Sequence, residues 1–77
     1  RSLFLLLLTM PKLLSSRQVV KILENNGFVF ISQKGSHIKF RKATLTVILP
    51  ANKTEIPIGT LHSIIRQSKL LKEDFGI

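Results

Sequence analysis

From Ser15 onward the apolar and polar positions fall into blocks whose period changes along the chain. Val19, Val20, Ile22 and Leu23 recur at helical spacing while Arg17, Lys21 and Glu24 take the other side, which predicts an amphipathic helix. Its start is marked by Ser15 with Gln18 three residues later, the signature of a capping box, and by Leu14 and Val19 at the positions of a hydrophobic staple. Asn25-Asn26-Gly27 supplies a stop that tolerates left-handed backbone, so the helix is expected over residues 16–26.

The period then shortens to two. Residues 28–34 are rich in aromatic and β-branched side chains, Gly35-Ser36 follows, and a second run occupies 37–41. Two such runs separated by Gly-Ser read as a hairpin with a type II′ turn, whose first residue needs positive φ and is therefore glycine. In the second run Ile38 and Phe40 face one way, so His37, Lys39 and Arg41 face the other. Phe28, Phe30 and Phe40 are all expected in the core. Residues 45–49 make a third strand, joined through Lys42-Ala43-Thr44 and ended by Pro50. A three-stranded antiparallel meander is the economical arrangement.

After a polar loop, Gly59-Thr60 opens a second helix in which Leu61, Ile64, Ile65 and Ser68 hold the i, i+3, i+4, i+7 positions, with His62, Arg66 and Lys69 on its outer side. The tail adds a short helical turn in which Leu71 and Phe75 pack back on the core. The order helix, three strands, helix defines an α+β domain with both helices on one sheet face. The other face stays open and carries the His37, Lys39, Arg41 row. Residues 10–77 contain no repeat and no linker that would divide them.

Residues 1–9 read differently. Leu3 to Leu8 is an unbroken apolar run, too short for a membrane span of roughly 20 residues and shorter than a signal-peptide core. The chain is therefore expected to have no membrane partner. Two accounts of this extension stand: Met10 is the natural start and the extension derives from upstream or vector sequence, or the run adds a strand or helical turn to the domain.

Composition narrows the function. The 77 residues carry 12 Lys and Arg against 4 Asp and Glu, a formal net charge of +8. A chain of this size builds one thin core and has no room for a separate substrate domain, so its chemistry belongs on its surface. The absence of cysteine removes disulfides, thiolate nucleophiles and thiolate metal sites, and fits a reducing, cytoplasmic compartment. Excess positive charge on a folded surface points to a polyanion.

The acids are too few and too scattered for much enzymology. Glu24, Glu55 and the Glu73-Asp74 pair offer neither a general acid/base dyad nor an octahedral metal site, so no metal is expected. No glycine-rich phosphate loop is present, and no cofactor is expected. What remains is the acid-free stretch 33–42, with Lys34, Lys39, Arg41 and Lys42 around one histidine at the lip of a glycine turn. A neutral-pH imidazole moves protons and flanking cations stabilise a phosphate in transit. RNA brings its own nucleophile, the 2′-hydroxyl. Read from these residues alone, the chain is a basic, RNA-facing module, and the same row also serves as a plain solvated face.

The series Ser15-Ser16-Arg17-Gln18-Val19-Val20, Asn26-Gly27-Phe28, Gln33-Lys34-Gly35-Ser36-His37 and Gly59-Thr60-Leu61-His62-Ser63-Ile64-Ile65-Arg66-Gln67 resembles the HicA family of toxins. The likeness runs from Met10 to Phe75. It implies a double-stranded-RNA-binding-domain-like αβββα fold over 10–77, a ribonuclease that degrades messenger RNA, and a HicB-type antitoxin covering the His37 face. The family's catalytic histidine corresponds to His37, and the RNA-binding set is then Lys34, Gly35, Ser36, Lys39, Arg41 and Lys42. Two departures stand out. Many relatives carry a second histidine in the loop after the third strand, where this chain has Ala51-Asn52-Lys53, and the usual Ala-Gly after Arg-Gln is Ser68-Lys69.

The leading expectation is a metal-independent endoribonuclease in which His37 acts as general base or general acid. The alternatives are a non-catalytic RNA-binding module of the same fold and a protein whose basic face docks an acidic partner.

Overall fold

The computed structural model describes residues 13–77; the extension at 1–9 and the start at Met10 lie outside them. Helix α1 spans Ser16–Asn25, one residue shorter than expected. Its entry is the capping box: the Gln18 amide donates to Ser15 Oγ at 3.1 Å and the Ser15 amide to Gln18 Oε1 at 2.9 Å. Its exit is a Schellman motif. Gly27, at φ +91°, donates its N–H to Glu24 O and Phe28 donates to Leu23 O, while Phe28 and Leu23 meet in the core.

Three strands follow, β1 Val29–Lys34, β2 His37–Lys42 and β3 Leu45–Pro50, paired antiparallel in the order β1-β2-β3. In β2 and β3 one face is buried and built from Phe40, Val47 and Leu49, with Ile38 and Leu45 partly covered. Helix α2, Ile58–Ser68, packs along β3 and adds Leu61 and Ile64 to that layer, while α1 adds Val19 and Leu23. This is the expected α+β fold, αβββα, with its single core between the helices and one sheet face. No helix among the described residues is long and apolar enough to cross a membrane.

Lys69 ends α2 in left-handed backbone, φ +61°, and a 3-10 turn at Lys72–Phe75 closes the described chain. Phe75 is buried as expected, but Leu71 is 65% exposed and Leu70 packs on the core in its place. The reversal at Lys69 advances the chain by one position, so the inward side chain is the residue before the one that continuous helical spacing selects.

A second difference concerns β1. All six of its residues are exposed, and Phe30, expected in the core, is 56% exposed although it lies directly across from buried Phe40. The helical layer is displaced toward β3. Gln67 of α2 reaches past that strand to accept the Ile48 amide at 2.9 Å, which leaves the far side of the sheet uncovered.

Candidate active site and nucleic-acid interface

The β1–β2 turn is Gly35-Ser36, with Gly35 at φ +60° and Ser36 outside the positive-φ region, the pattern of a type II′ turn. Gln33 Nε2 donates to Gly35 O at 3.1 Å and steadies the turn from within. From the other side the Ala51 amide donates to Ser36 O at 2.7 Å, so the loop after β3 is held on the turn. A Cβ built on Gly35 meets nothing within 4 Å, and the turn backbone is open to an approaching ligand.

His37 starts β2 immediately beyond this turn, facing Lys34 on β1 and Pro50 on β3. Strand alternation puts Lys39 and Arg41 on the same open face, at steps of about 7 Å along the strand. Lys34, His37 and Arg41 are exposed, and Lys39 is half-buried between Ser32 and Ile48. Arg41 Nε donates to Thr46 Oγ1 at 3.3 Å, which lays its guanidinium across β3. Lys34, Gly35, Ser36, His37, Lys39 and Arg41 therefore share one hairpin and its open face.

Lys42 is placed elsewhere. It follows Phe40 by two residues, shares the helix-side face, and donates its ammonium to Asn26 O at 2.8 Å, 6.0 Å from the Phe28 ring centre. There it neutralises carbonyl charge at the C-terminus of α1, as a cation at that helix end does.

Ser16 was not singled out from the sequence and turns out to organise this end of the sheet. Only 5% exposed, it donates from Oγ to Pro50 O at 2.6 Å and accepts the Lys53 amide at 3.0 Å, while its own amide donates to Lys53 O at 2.9 Å. Pro50 is the cross-strand neighbour of His37, so Ser16 braces the strand end against which His37 sits. The available signal was its position three residues before Val19 and seven before Leu23, on the buried stripe of α1.

The same loop forms a cleft of about 450 Å³ lined by Ser15, Arg17, Asn52, Lys53 and Thr54. Asn52 adopts φ +59°, which asparagine tolerates. This loop follows β3 and carries Lys53, whose side chain lines the cleft with Arg17. His62 is half-buried on α2 in a smaller cleft with Ile65, Arg66 and Lys72, away from the turn. Among the described residues no three His, Asp or Glu side chains come together as metal ligands would.

The family model described as the HicA toxin of bacterial toxin–antitoxin systems matches residues 16–70. This chain belongs to the HicA toxin family. The match runs from the first residue of α1 to just beyond α2 and takes in the entire sheet, including the Gly35-Ser36-His37 turn. A comparison with individually curated proteins finds no match. As a HicA toxin the chain is one half of a toxin–antitoxin pair.

Proposed function

We propose that this HicA toxin is an endoribonuclease that cleaves messenger RNA without a metal ion, arresting translation and growth, and that a HicB-type antitoxin neutralises it by covering the His37 face. The observation that carries this reading is the position of His37: exposed on the open sheet face, beside an accessible glycine turn, with Lys34 opposite and Lys39 and Arg41 in the same row. The reaction uses groups that RNA and this row supply. The 2′-hydroxyl oxygen attacks the adjacent phosphorus as its proton leaves, and the bond from phosphorus to the 5′-oxygen breaks, giving a cyclic phosphate and a 5′-hydroxyl. His37 takes the first proton as general base or delivers one to the leaving oxygen as general acid. Lys34, Lys39 and Arg41 offset the charge that builds on the phosphoryl oxygens and hold neighbouring phosphates. The open backbone at Gly35 and the Ser36 hydroxyl let the substrate lie close to the turn.

The test is RNA cleavage by wild type and His37→Ala, each with a chelator present. Loss of at least about 100-fold is expected for the variant, the usual scale of proton-transfer catalysis, with an unchanged melting curve because the side chain is exposed. Cleavage by the variant at the wild-type rate, or abolition of wild-type cleavage by the chelator, would overturn the assignment. The exposure of His37 also suits a second reading, in which this face binds RNA and releases it intact. RNA retained in a salt-dependent manner with no product, and equally by His37→Ala, would establish that one.

A further inference from the structure

The two edges of the sheet are treated differently. At the β3 edge the Ile48 amide is taken up by Gln67 of α2. At the β1 edge no hydrogen bond among the described residues reaches the outward backbone groups. Three consecutive apolar side chains stand there in the open: Val29 at 58%, Phe30 at 56% and Ile31 at 46% exposure. A bare apolar edge strand is a template for strand addition, and folded proteins ordinarily blunt it with charge, proline or a covering element. Here residues 28–33 contain no charge and no proline, and the one irregularity is a bulge between Phe30 and Ser32.

Phe30 makes the edge a shaped site. Its ring lies on the helix side of the sheet, 6.0 Å from the Phe40 ring and nearly perpendicular to it at 84°, with Phe40 itself 1% exposed. The core therefore continues outward to Phe30 and stops half-covered, so an added strand that puts an apolar side chain over Phe30 completes the layer. Charge decides what that strand belongs to. The uncharged segment runs directly into Lys34, in a chain of net charge +8. A second copy brings equal positive charge to the same place, whereas an acidic partner meets it with opposite charge.

We propose that the outer edge of β1 is the docking edge for an extended segment of the acidic antitoxin, which adds as a fourth strand, packs an apolar residue on Phe30 and sets carboxylates toward Lys34. The identity of the occupant rests on the toxin–antitoxin reading; the edge and its chemistry are read from the fold.

The probe is the purified product of the reading frame adjacent to the toxin gene, titrated by calorimetry against wild type, Phe30→Asp and Ile31→Asp, with amide hydrogen exchange on the wild-type complex. Each substitution removes apolar contact and turns the local charge against an acidic strand. Affinity is expected to fall at least about 30-fold, the scale of an interface hot spot. Amides of 29–33 should gain protection in the complex while those of β3 do not. Melting curves of the free variants confirm that they are folded, and the exchange map stands on the wild-type protein whatever the variants do. Binding that is undiminished by both substitutions, with no new protection in β1, overturns the edge while leaving the toxin–antitoxin pairing intact. Failure of the product to bind wild type overturns the assignment of the partner. Sedimentation of the toxin alone as a dimer that either substitution dissolves assigns the edge to a second copy and also overturns the proposal.

Discussion

Replacing Ser16 by alanine removes one hydroxyl and with it two hydrogen bonds that cross 34 and 37 residues of chain, the donation to Pro50 O and the acceptance from the Lys53 amide. Each such bond contributes about 1 kcal/mol net, and a partner left dry costs more. Lys53 is exposed and its amide can turn to water; Pro50 is half-buried and its carbonyl is less free to do so. The expected loss is therefore about 2–3 kcal/mol. A domain of this size has a total stability of only about 4–10 kcal/mol, so one hydroxyl carries a large share of it. The melting temperature should fall by roughly 10–20 °C, at about 4–8 °C per kcal/mol for a small domain.

The same substitution loosens the site locally. With Pro50 and Lys53 released, the Ala51 amide, which donates to Ser36 O beside His37, should exchange faster with solvent at temperatures well below the melt. Thermal and urea unfolding followed by circular dichroism give the global term, and the Ala51 exchange rate gives the local one. A melting temperature within about 2 °C of wild type, or an Ala51 amide that exchanges no faster, would refute the brace; the bonds Ser16 N to Lys53 O and Ile56 N to Leu14 O would then hold the loop by themselves.

The two faces of β2 make a paired prediction. Arg41→Ala should lower the salt dependence of RNA binding by about 0.7 in log–log slope, one phosphate contact on a single strand, with little change in stability. Lys42→Ala should leave that slope alone and cost about 1 kcal/mol in urea unfolding, because it gives up the bond to Asn26 O and the contact with Phe28.

Features set within a few residues of chain were readable in advance. The capping box of α1 lies inside four residues, the Gly27 exit and the Gly35 turn each need one glycine, and the alternation of Ile38 and Phe40 with His37, Lys39 and Arg41 declares which face is open. Features that depend on where layers sit relative to one another were not. Nothing in 28-FVFISQK-34 tells that the helices lie toward β3, so Phe30 could not be separated from Phe28 and Phe40. Ser16 acts through Pro50 and Lys53, partners that adjacency in sequence does not reveal. Lys42 is a different case. Its even number already put it with Phe40 and against the His37 row, and grouping it with the other cations by charge overrode a parity that the fold obeys.

Among the described residues, two of the sheet's four boundaries are engaged: one face by the helices, and the β3 edge at Ile48 by Gln67. The open face and the β1 edge remain, and they differ in what they can do for an antitoxin. A strand added to β1 lies about 4.8 Å beyond it and so about 10 Å from β2. At that separation its carboxylates reach Lys34, but their field at His37 is cut by one screening length at ordinary salt. Edge docking thus supplies affinity without itself obstructing the imidazole, and inhibition requires that the docked partner also lay some part of itself over the open face. The two functions should then separate by mutation. Phe30 lies on the face opposite His37, so Phe30→Asp should cleave RNA at the wild-type rate yet need at least about 30-fold more antitoxin for half-inhibition, the same ratio lost in binding. Cleavage by Phe30→Asp that is inhibited at the wild-type antitoxin concentration would mean that all of the affinity comes from contacts over the open face, and the β1 edge would have no part in neutralisation.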